Sequence, residues 1–168
     1  MTSMRYARLV SILLLMAPLA GAHAASNSII GKATVIDGDT IEVSRQRVRL
    51  YGIDAPEAKQ TCARADRKRW FCGQEATFAL ANIIGHQWVY CWKKDIDEHG
   101  RIVAVCNLAG FNGPDVGAAM VRQGWAVAWP RRSTDYVPQE TAAKTERQGL
   151  WAGTFVLPEE WRRTRRTP

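Results

Sequence analysis

The chain carries the sequence IDGDT at residues 36–40 and RLYGIDAPE at residues 49–57. Together these two pieces contain four carboxylates and one arginine: Asp37, Asp39, Asp54, Glu57 and Arg49. Because like charges repel, such a cluster in an otherwise basic protein indicates a cation or a catalytic task that offsets the repulsion. A third piece, DEHGR at residues 97–101, adds a second arginine from a tight turn. The three pieces together predict a metal-assisted site for a phosphate ester.

The first 24 residues have the pattern of a secretory signal peptide. Arg5 and Arg8 form a positive segment, residues 9–20 form an apolar segment, and Ala22-His23-Ala24 is a cleavage site of small residues. The apolar segment is shorter than the roughly 20 residues that a membrane-spanning helix needs. We therefore expect cleavage after Ala24, a protein that is secreted or periplasmic, and no stable membrane association.

The rest of the chain has the length of one domain, which we place at residues 25–161. The formal net charge of +7 favours a polyanion partner such as nucleic acid. Part of that charge lies in residues 162–168, a basic C-terminal tail. We expect this tail to be solvated and frayed, as chain ends generally are.

Four cysteines predict two disulfides, since disulfides are commoner than metal sites in exported proteins. Cys91 and Cys106 are equally distant from the turn at residues 98–99, so a hairpin closed there places them face to face. Cys62 and Cys72 flank a charged loop that a disulfide would staple. No Cys-x-x-Cys pair is present, and no histidine has a zinc-ligand spacing to the cysteines.

Alternating and β-branched segments predict five strands, and helical periodicity predicts three helices. The strands are expected at residues 29–36, 40–43, 47–51, 88–93 and 101–107. The helices are expected at residues 74–84, 115–123 and 138–148, with the last two ending before Gly124 and Gly149. These elements predict a small α+β domain, for which a closed five-stranded barrel is one arrangement.

The motifs resemble those of the staphylococcal nuclease (thermonuclease) family. IDGDT, RLYGIDAPE and DEHGR, followed by MVRQGWA and RQGLWAG, occur in the family's order and at compatible spacings, over roughly residues 29–161. The resemblance implies an α+β, β-barrel-rich fold, namely a five-stranded OB-fold barrel with three helices. It also implies hydrolysis of phosphodiester bonds in DNA and RNA, usually with calcium, to leave 3′-phosphate ends.

The resemblance further implies a set of metal ligands. Asp39 and Asp54 match the family's metal-binding carboxylates, and the main-chain carbonyl of Ala55 matches a third ligand. Ca²⁺ is a hard cation that prefers such oxygen donors, and one ion is expected. Oxygen ligands also suit Mn²⁺ and Mg²⁺, so the choice of ion stays open.

Three further residues match the family's catalytic groups. Glu57 matches the glutamate that activates or orients the attacking water, and the sequence does not decide between these two roles. Arg49 and Arg101 match the pair that grips the scissile phosphate, because a guanidinium group can donate two parallel hydrogen bonds to phosphate oxygens.

The sequence departs from the family pattern in the third motif and beyond it. Glu98 and His99 stand where relatives have a basic residue and a Tyr or Phe. The nucleotide-stacking aromatics have no clear match, and Trp129 and Tyr136 are candidates by region only, against the alternative of packing in the core. We expect a monomer that takes DNA, RNA or both as substrate.

Two other functions fit parts of the sequence. A noncatalytic OB-fold module that binds nucleic acid or protein is the first alternative, although such a module has no need to keep all five matched side chains. A hydrolase of small phosphate esters is the second, although a small substrate does not need a wide positive field.

Overall fold

The computed structural model describes residues 27–166. The strands, numbered along the chain, are β1 (Ser28–Val35), β2 (Thr40–Val43), β3 (Gln46–Leu50), β4 (Ile53–Asp54), β5 (Cys62–Ala63), β6 (Arg69–Trp70), β7 (Trp88–Ile96), β8 (Ile102–Leu108) and β9 (Val127–Ala128). The helices are α1 (Cys72–Ile84), α2 (Val116–Arg122), α3 (Val137–Thr145) and α4 (Pro158–Arg166), with a 3₁₀ helix at Gly149–Ala152.

Five of the strands form a closed barrel in the order β1-β2-β3-β8-β7. Strands β1, β2 and β3 form an antiparallel meander, and β7 and β8 form a hairpin. The parallel pairing of β3 with β8 and the antiparallel pairing of β1 with β7 close the barrel. Closure leaves the barrel without free sheet edges, and it confirms the predicted α+β fold with a five-stranded barrel.

Both predicted disulfides are present. Cys91 and Cys106 are direct cross-strand partners in β7 and β8, and their bridge is buried inside the barrel. Cys62 and Cys72 join β5 to the start of α1 and pack with Leu150 in a second, smaller apolar cluster. The second disulfide thereby ties β5 to α1, and the 3₁₀ helix packs against it through Leu150.

The first three helices cover the barrel with small and aliphatic side chains. Helix α1 buries Ala76, Leu80 and Ile84, and α2 buries Val116 and Met120. Asp115 caps α2, because its carboxylate accepts a hydrogen bond from the backbone N–H of Ala118 at 3.0 Å. These are the three predicted helices, with boundaries shifted by at most three residues.

Helix α4 is a fourth helix where three were expected. It begins at Pro158, a residue suited to a first helical turn, and Glu159 and Glu160 follow in that turn, where the helix dipole favours negative charge. Its second half contains the described part of the expected basic tail, which is therefore helical at residues 162–166.

The expected signal peptide at residues 1–24 lies outside the described residues. Within residues 27–166, no helix is both long enough and apolar enough to cross a membrane.

Candidate active site

A cleft of about 380 Å³ lies where the ends of the barrel strands meet the loops that follow them. Its lining comes from the β1–β2 loop, the end of β3, the segment after β4, the β7–β8 turn, the loop after β9, and α4. The charged lining residues are Asp37, Asp39, Arg49, Glu57, Asp97, Glu98, Arg101, Arg132 and Arg162. The cleft therefore joins all three motifs that the sequence singled out.

The IDGDT loop is a tight turn that points one carboxylate inward. The backbone N–H of Ile36 donates to the carbonyl of Thr40 at 2.9 Å, which closes the turn between β1 and β2. The Asp37 carboxylate accepts from the backbone N–H of Asp39 at 3.1 Å, so Asp37 stabilises the turn. The inward-pointing residue is Asp39, which is only 4% exposed.

Arg49 links the two buried aspartates. Its Nη1 donates to Asp39 Oδ1 at 3.0 Å, and its Nη2 lies 3.0 Å from Asp39 Oδ2 and 2.9 Å from Asp54 Oδ1. The two carboxylates therefore converge on one guanidinium group. Asp54 is 1% exposed, so its charge depends on these partners rather than on water.

Burial and nearby negative charge disfavour the ionised forms of two carboxyl groups at this site. Burial raises the pKa of Asp54, and the negative charge of Asp39 raises it further, against the lowering effect of the neighbouring arginines. Burial and the charge of Asp39 likewise raise the pKa of Asp37. Burial and mutual repulsion therefore disfavour the ionised forms of these carboxyl groups, and positive charge from a neighbouring arginine or from a cation offsets that cost.

Two buried contacts fix the backbone around Glu57. The side chain of Gln60, which is fully buried, accepts from the backbone N–H of Glu57 at 3.2 Å and donates to the carbonyl of Val156 at 2.7 Å. Gly73 in α1 lies so close that a Cβ atom there would sit 1.8 Å from the carbonyl oxygen of Glu57. The Glu57 side chain is about half-exposed, at 42%, and lines the cleft.

Arg101 lines the cleft at the end of the β7–β8 turn. Asp97 accepts from its backbone N–H at 2.9 Å and from its Nε at 2.7 Å. Gly100, at φ 74°, adopts the left-handed conformation that this turn needs. Because Asp97 binds the inner edge of the guanidinium group, the terminal nitrogens of Arg101 are left for a ligand.

Sequence reasoning missed Arg162. Its Nη1 and Nη2 each lie 2.9 Å from an oxygen of Asp54, and Nη1 lies 2.9 Å from Glu57 Oε1. Burial alone lowers the pKa of Arg162, but the hydrogen bonds that it donates to Asp54 and Glu57 outweigh this effect and raise that pKa. The helix signals at Pro158, Glu159 and Glu160 were the clue in the sequence that residue 162 is ordered.

The two aromatic candidates have different positions. Trp129 lines the cleft, and its ring lies 5.7 Å from the guanidinium carbon of Arg49 and 5.5 Å from that of Arg132. Tyr136 is 4% exposed and packs in the core, where its hydroxyl donates to Asp115 Oδ2 at 2.9 Å. The structure therefore brings Trp129 into the cleft and leaves Tyr136 outside it.

The donor atoms expected for a cation suit a hard ion. Asp39 Oδ2 and Asp54 Oδ1 lie 3.0 and 2.9 Å from the same Arg49 nitrogen, so both carboxylates face one point of the site, and a hard cation such as Ca²⁺ prefers carboxylate oxygens. Ala55 lines the same cleft and donates its N–H to Asp39 Oδ2 at 3.1 Å. Within the described residues, no three Asp, Glu, His or Cys side chains form a metal cluster, so further ligands would be carbonyl, water or substrate oxygens.

Comparison with known proteins identifies relatives of the chain. Residues 47–153 match the family model described as staphylococcal nuclease homologue. The chain is 37% identical over 132 residues to Succinoglycan biosynthesis protein ExoI of Rhizobium meliloti, covering 76% of this chain and 66% of that protein, just under two thirds of its length.

Two further relatives are covered more fully. Protein ParB of Escherichia coli is 36% identical over 144 residues, which is 77% of this chain and 76% of that protein. Micrococcal nuclease of Shigella flexneri is 34% identical over 145 residues, which is 77% of each chain. The region that matches the family model, residues 47–153, contains the cleft residues from Arg49 to Arg132 and ends before α4.

Proposed function

The chain belongs to the staphylococcal nuclease family, and from that premise we propose that it is an exported, metal-dependent nuclease. Membership, together with relatives named as nucleases and endonucleases, supports hydrolysis of phosphodiester bonds in nucleic acid. The finer proposal is a Ca²⁺-dependent enzyme that cleaves both DNA and RNA and leaves 3′-phosphate ends.

One observation carries the proposal: three separate motifs converge on a single cleft, which is lined by Asp39, Glu57, Arg49 and Arg101, and the buried Asp54 is bound to Arg49 beside it. Each motif alone has a structural explanation as a turn or an ion pair. Their convergence on one cavity is what a metal-assisted phosphoryl reaction requires, since it needs a cation site, a proton acceptor and donors for phosphate oxygens.

In this proposal Glu57 accepts a proton from the attacking water. Its half-exposed carboxylate lies in the cleft on a backbone fixed by Gln60 and Gly73, so it can accept a proton from a water in line with the phosphorus. Attack forms a new P–O bond and breaks the bond from phosphorus to the 5′ oxygen. The phosphate remains on the 3′ oxygen, and the leaving 5′ oxygen gains a proton.

The two arginines hold the phosphate during that attack. Arg101 offers its terminal nitrogens, and Arg49 lies beside the two buried aspartates. Donors fixed in advance stabilise the charge that develops on the phosphoryl oxygens better than water does. A divalent cation bound at Asp39, Asp54 and the carbonyl of Ala55 would polarise a phosphoryl oxygen from the same side.

The surroundings of the cleft support nucleic acid as the substrate. Trp129 presents an aromatic surface at the cleft, and base stacking on such a ring does not depend on base identity. Arg132 lies beside it and adds positive charge. Two disulfides and the absence of a membrane-crossing helix within residues 27–166 are compatible with a secreted or periplasmic protein.

The test is hydrolysis of labelled single-stranded DNA, duplex DNA and RNA by the oxidised protein, first with Ca²⁺ and then with EGTA. We expect cleavage of all three substrates, lost in EGTA, with products that resist 3′ extension until a phosphatase removes the terminal phosphate. Binding of the same substrates without cleavage, in Ca²⁺, Mn²⁺ or Mg²⁺, would identify a noncatalytic module instead.

A further inference from the structure

The guanidinium group of Arg162 binds Asp54, which is a proposed metal ligand. It forms a two-point contact, with Nη1 and Nη2 each 2.9 Å from a different oxygen of the Asp54 carboxylate. The same Nη1 also lies 2.9 Å from Glu57 Oε1. One side chain of α4 therefore engages both a proposed metal ligand and the proposed proton acceptor.

The remaining acceptor capacity of the two aspartates is small. A carboxylate has about four lone-pair sites. Asp54 uses three of them on Arg162 and Arg49. Asp39 accepts from Arg49 at both oxygens, from the Thr40 hydroxyl at 3.0 Å, and from the backbone N–H of Ala55. A cation can reach both oxygens of Asp54 only if Arg162 withdraws.

Arg162 also supplies the positive charge that the buried acids need. Asp39 and Asp54 carry two negative charges in a site with little water, and Arg49 offsets one of them. The second is offset by Arg162, whose own side chain is 25% exposed. The arginine thus does electrostatically what a divalent cation would do, which stabilises the site when no cation is bound.

Helix α4 is attached in a way that allows Arg162 to leave. The helix lies at the C-terminal end of the described chain, and its first turn is held by an ion pair from Glu159 to Arg131, an arginine that is mostly exposed. Exposed ion pairs contribute only about 0–1 kcal/mol. The chain before the helix is held more firmly, by the hydrogen bond from Gln60 to the carbonyl of Val156.

From these contacts we propose that Arg162 is an internal counter-ion that competes with the divalent cation for Asp54. The C-terminal helix thereby sets the cation concentration at which the nuclease becomes active. This inference rests on the proposed function, because it assumes a cation at Asp39 and Asp54. By linkage, binding of the cation must in turn weaken the docking of α4 by the same factor.

Calcium binding measured by calorimetry, without nucleic acid, tests the competition. We expect Arg162→Ala to bind Ca²⁺ at least fivefold more tightly than the unmodified protein, a change that corresponds to about 1 kcal/mol. Arg165→Ala is the matched control, since it removes the same charge from the same helix and its guanidinium lies over the ring of Trp161. Its dissociation constant should stay within about twofold of the unmodified value.

Hydrogen exchange in the unmodified protein gives a second readout that needs no variant. Saturating Ca²⁺ should speed the exchange of the backbone amides at residues 161–165. Unchanged or slower exchange there, or unchanged or weaker Ca²⁺ binding by Arg162→Ala, would overturn the competition and leave Arg162 as a residue that positions Glu57.

The two proposals fail in different ways. If both proteins bind Ca²⁺ equally and DNA is cleaved, only the competition is wrong. If neither the unmodified protein nor Arg162→Ala binds Ca²⁺, Mn²⁺ or Mg²⁺, the cation site of the proposed function is wrong and the competition falls with it.

Discussion

Asp97 and Arg101 form a closed pair across the β7–β8 turn, in which one carboxylate accepts both the backbone N–H and the Nε of the same arginine, at 2.9 and 2.7 Å. The pair fixes the direction of Arg101 before any substrate arrives. Preorganisation of this kind lowers the reorganisation that a charged transition state would otherwise demand. In the proposed mechanism the turn would therefore serve catalysis as well as connect two strands.

The Asp97 carboxylate should make the stability of the protein depend on pH. Burial raises its pKa, but hydrogen bonds from the backbone N–H of Arg101, from its guanidinium and from the N–H of His99 outweigh this and lower the pKa below its usual 3.8. A group with a lowered pKa stabilises the fold above its unfolded pKa and loses that contribution as the pH falls through its folded pKa.

Urea unfolding of the unmodified protein and of Asp97→Asn between about pH 2 and pH 7 measures this effect. At neutral pH the unmodified protein should have a larger free energy of unfolding than Asp97→Asn, and this difference should shrink below about pH 4. A difference that is the same at every pH would mean that the ionised carboxylate is not what matters.

Arg101→Ala should remove catalysis without unfolding the protein. The arginine side chain is partly exposed, and Asp97 would still accept hydrogen bonds from the backbone N–H groups of the turn. The free energy of unfolding should therefore change by about 1 kcal/mol or less. The rate of DNA hydrolysis should fall by about 10²–10³-fold, as for other fixed donors to a developing negative charge.

The matched control for this variant is Arg122→Ala, which breaks a surface ion pair with Glu146 far from the proposed chemistry. Its hydrolysis rate should equal that of the unmodified protein. Equal rates for Arg101→Ala as well would exclude Arg101 from the mechanism.

Arg49→Ala should instead damage the fold, which the sequence alone did not indicate. Asp39 and Asp54 are both buried, and removing Arg49 leaves Asp39 without its charged partner. Breaking a buried ion pair in this way costs about 3–5 kcal/mol. Asp39→Asn in the same chain should recover part of that loss in urea unfolding, whereas a loss below about 1 kcal/mol for Arg49→Ala would show that the pair is not truly buried.

Substitutions of Trp129 and Tyr136 should change different properties, substrate binding for Trp129 and stability for Tyr136. Trp129→Ala removes an aromatic surface from the cleft and should raise KM for single-stranded DNA by about 5–100-fold, the range expected for one stacked base. Tyr136→Phe removes only the hydroxyl that donates to Asp115, so it should cost about 1 kcal/mol of stability and leave KM unchanged. The opposite pattern would mean that the substrate approaches the core tyrosine instead.

The parts of the site that local sequence determines could be predicted. Asp37 and Asp39 belong to a turn whose geometry follows from Asp-Gly-Asp itself, and Cys91 and Cys106 are paired by the symmetry of one hairpin. The predicted bounds of the barrel strands lie within three residues of the observed bounds, because the alternation of apolar and polar residues indicates which face of a strand is buried.

The rest depends on contacts between distant parts of the chain. Arg162 reaches Asp54 across 108 residues, and a rule for frayed chain ends cannot anticipate a partner that the fold supplies. The same limit explains Tyr136, because its region in the sequence gave no information about whether its ring faces the cleft or the core. The burial of Gln60 beneath Glu57 also had no signature in the sequence.

The most direct test compares Glu57→Gln with the unmodified protein in the hydrolysis of labelled single-stranded DNA at saturating Ca²⁺, with Ca²⁺ binding measured on both proteins. Glutamine keeps the size of the side chain but cannot accept the proton, so we predict a loss of rate of about 10²–10⁴-fold with Ca²⁺ still bound. Hydrolysis within a few-fold of the unmodified rate would contradict a mechanism in which this cleft activates water through Glu57.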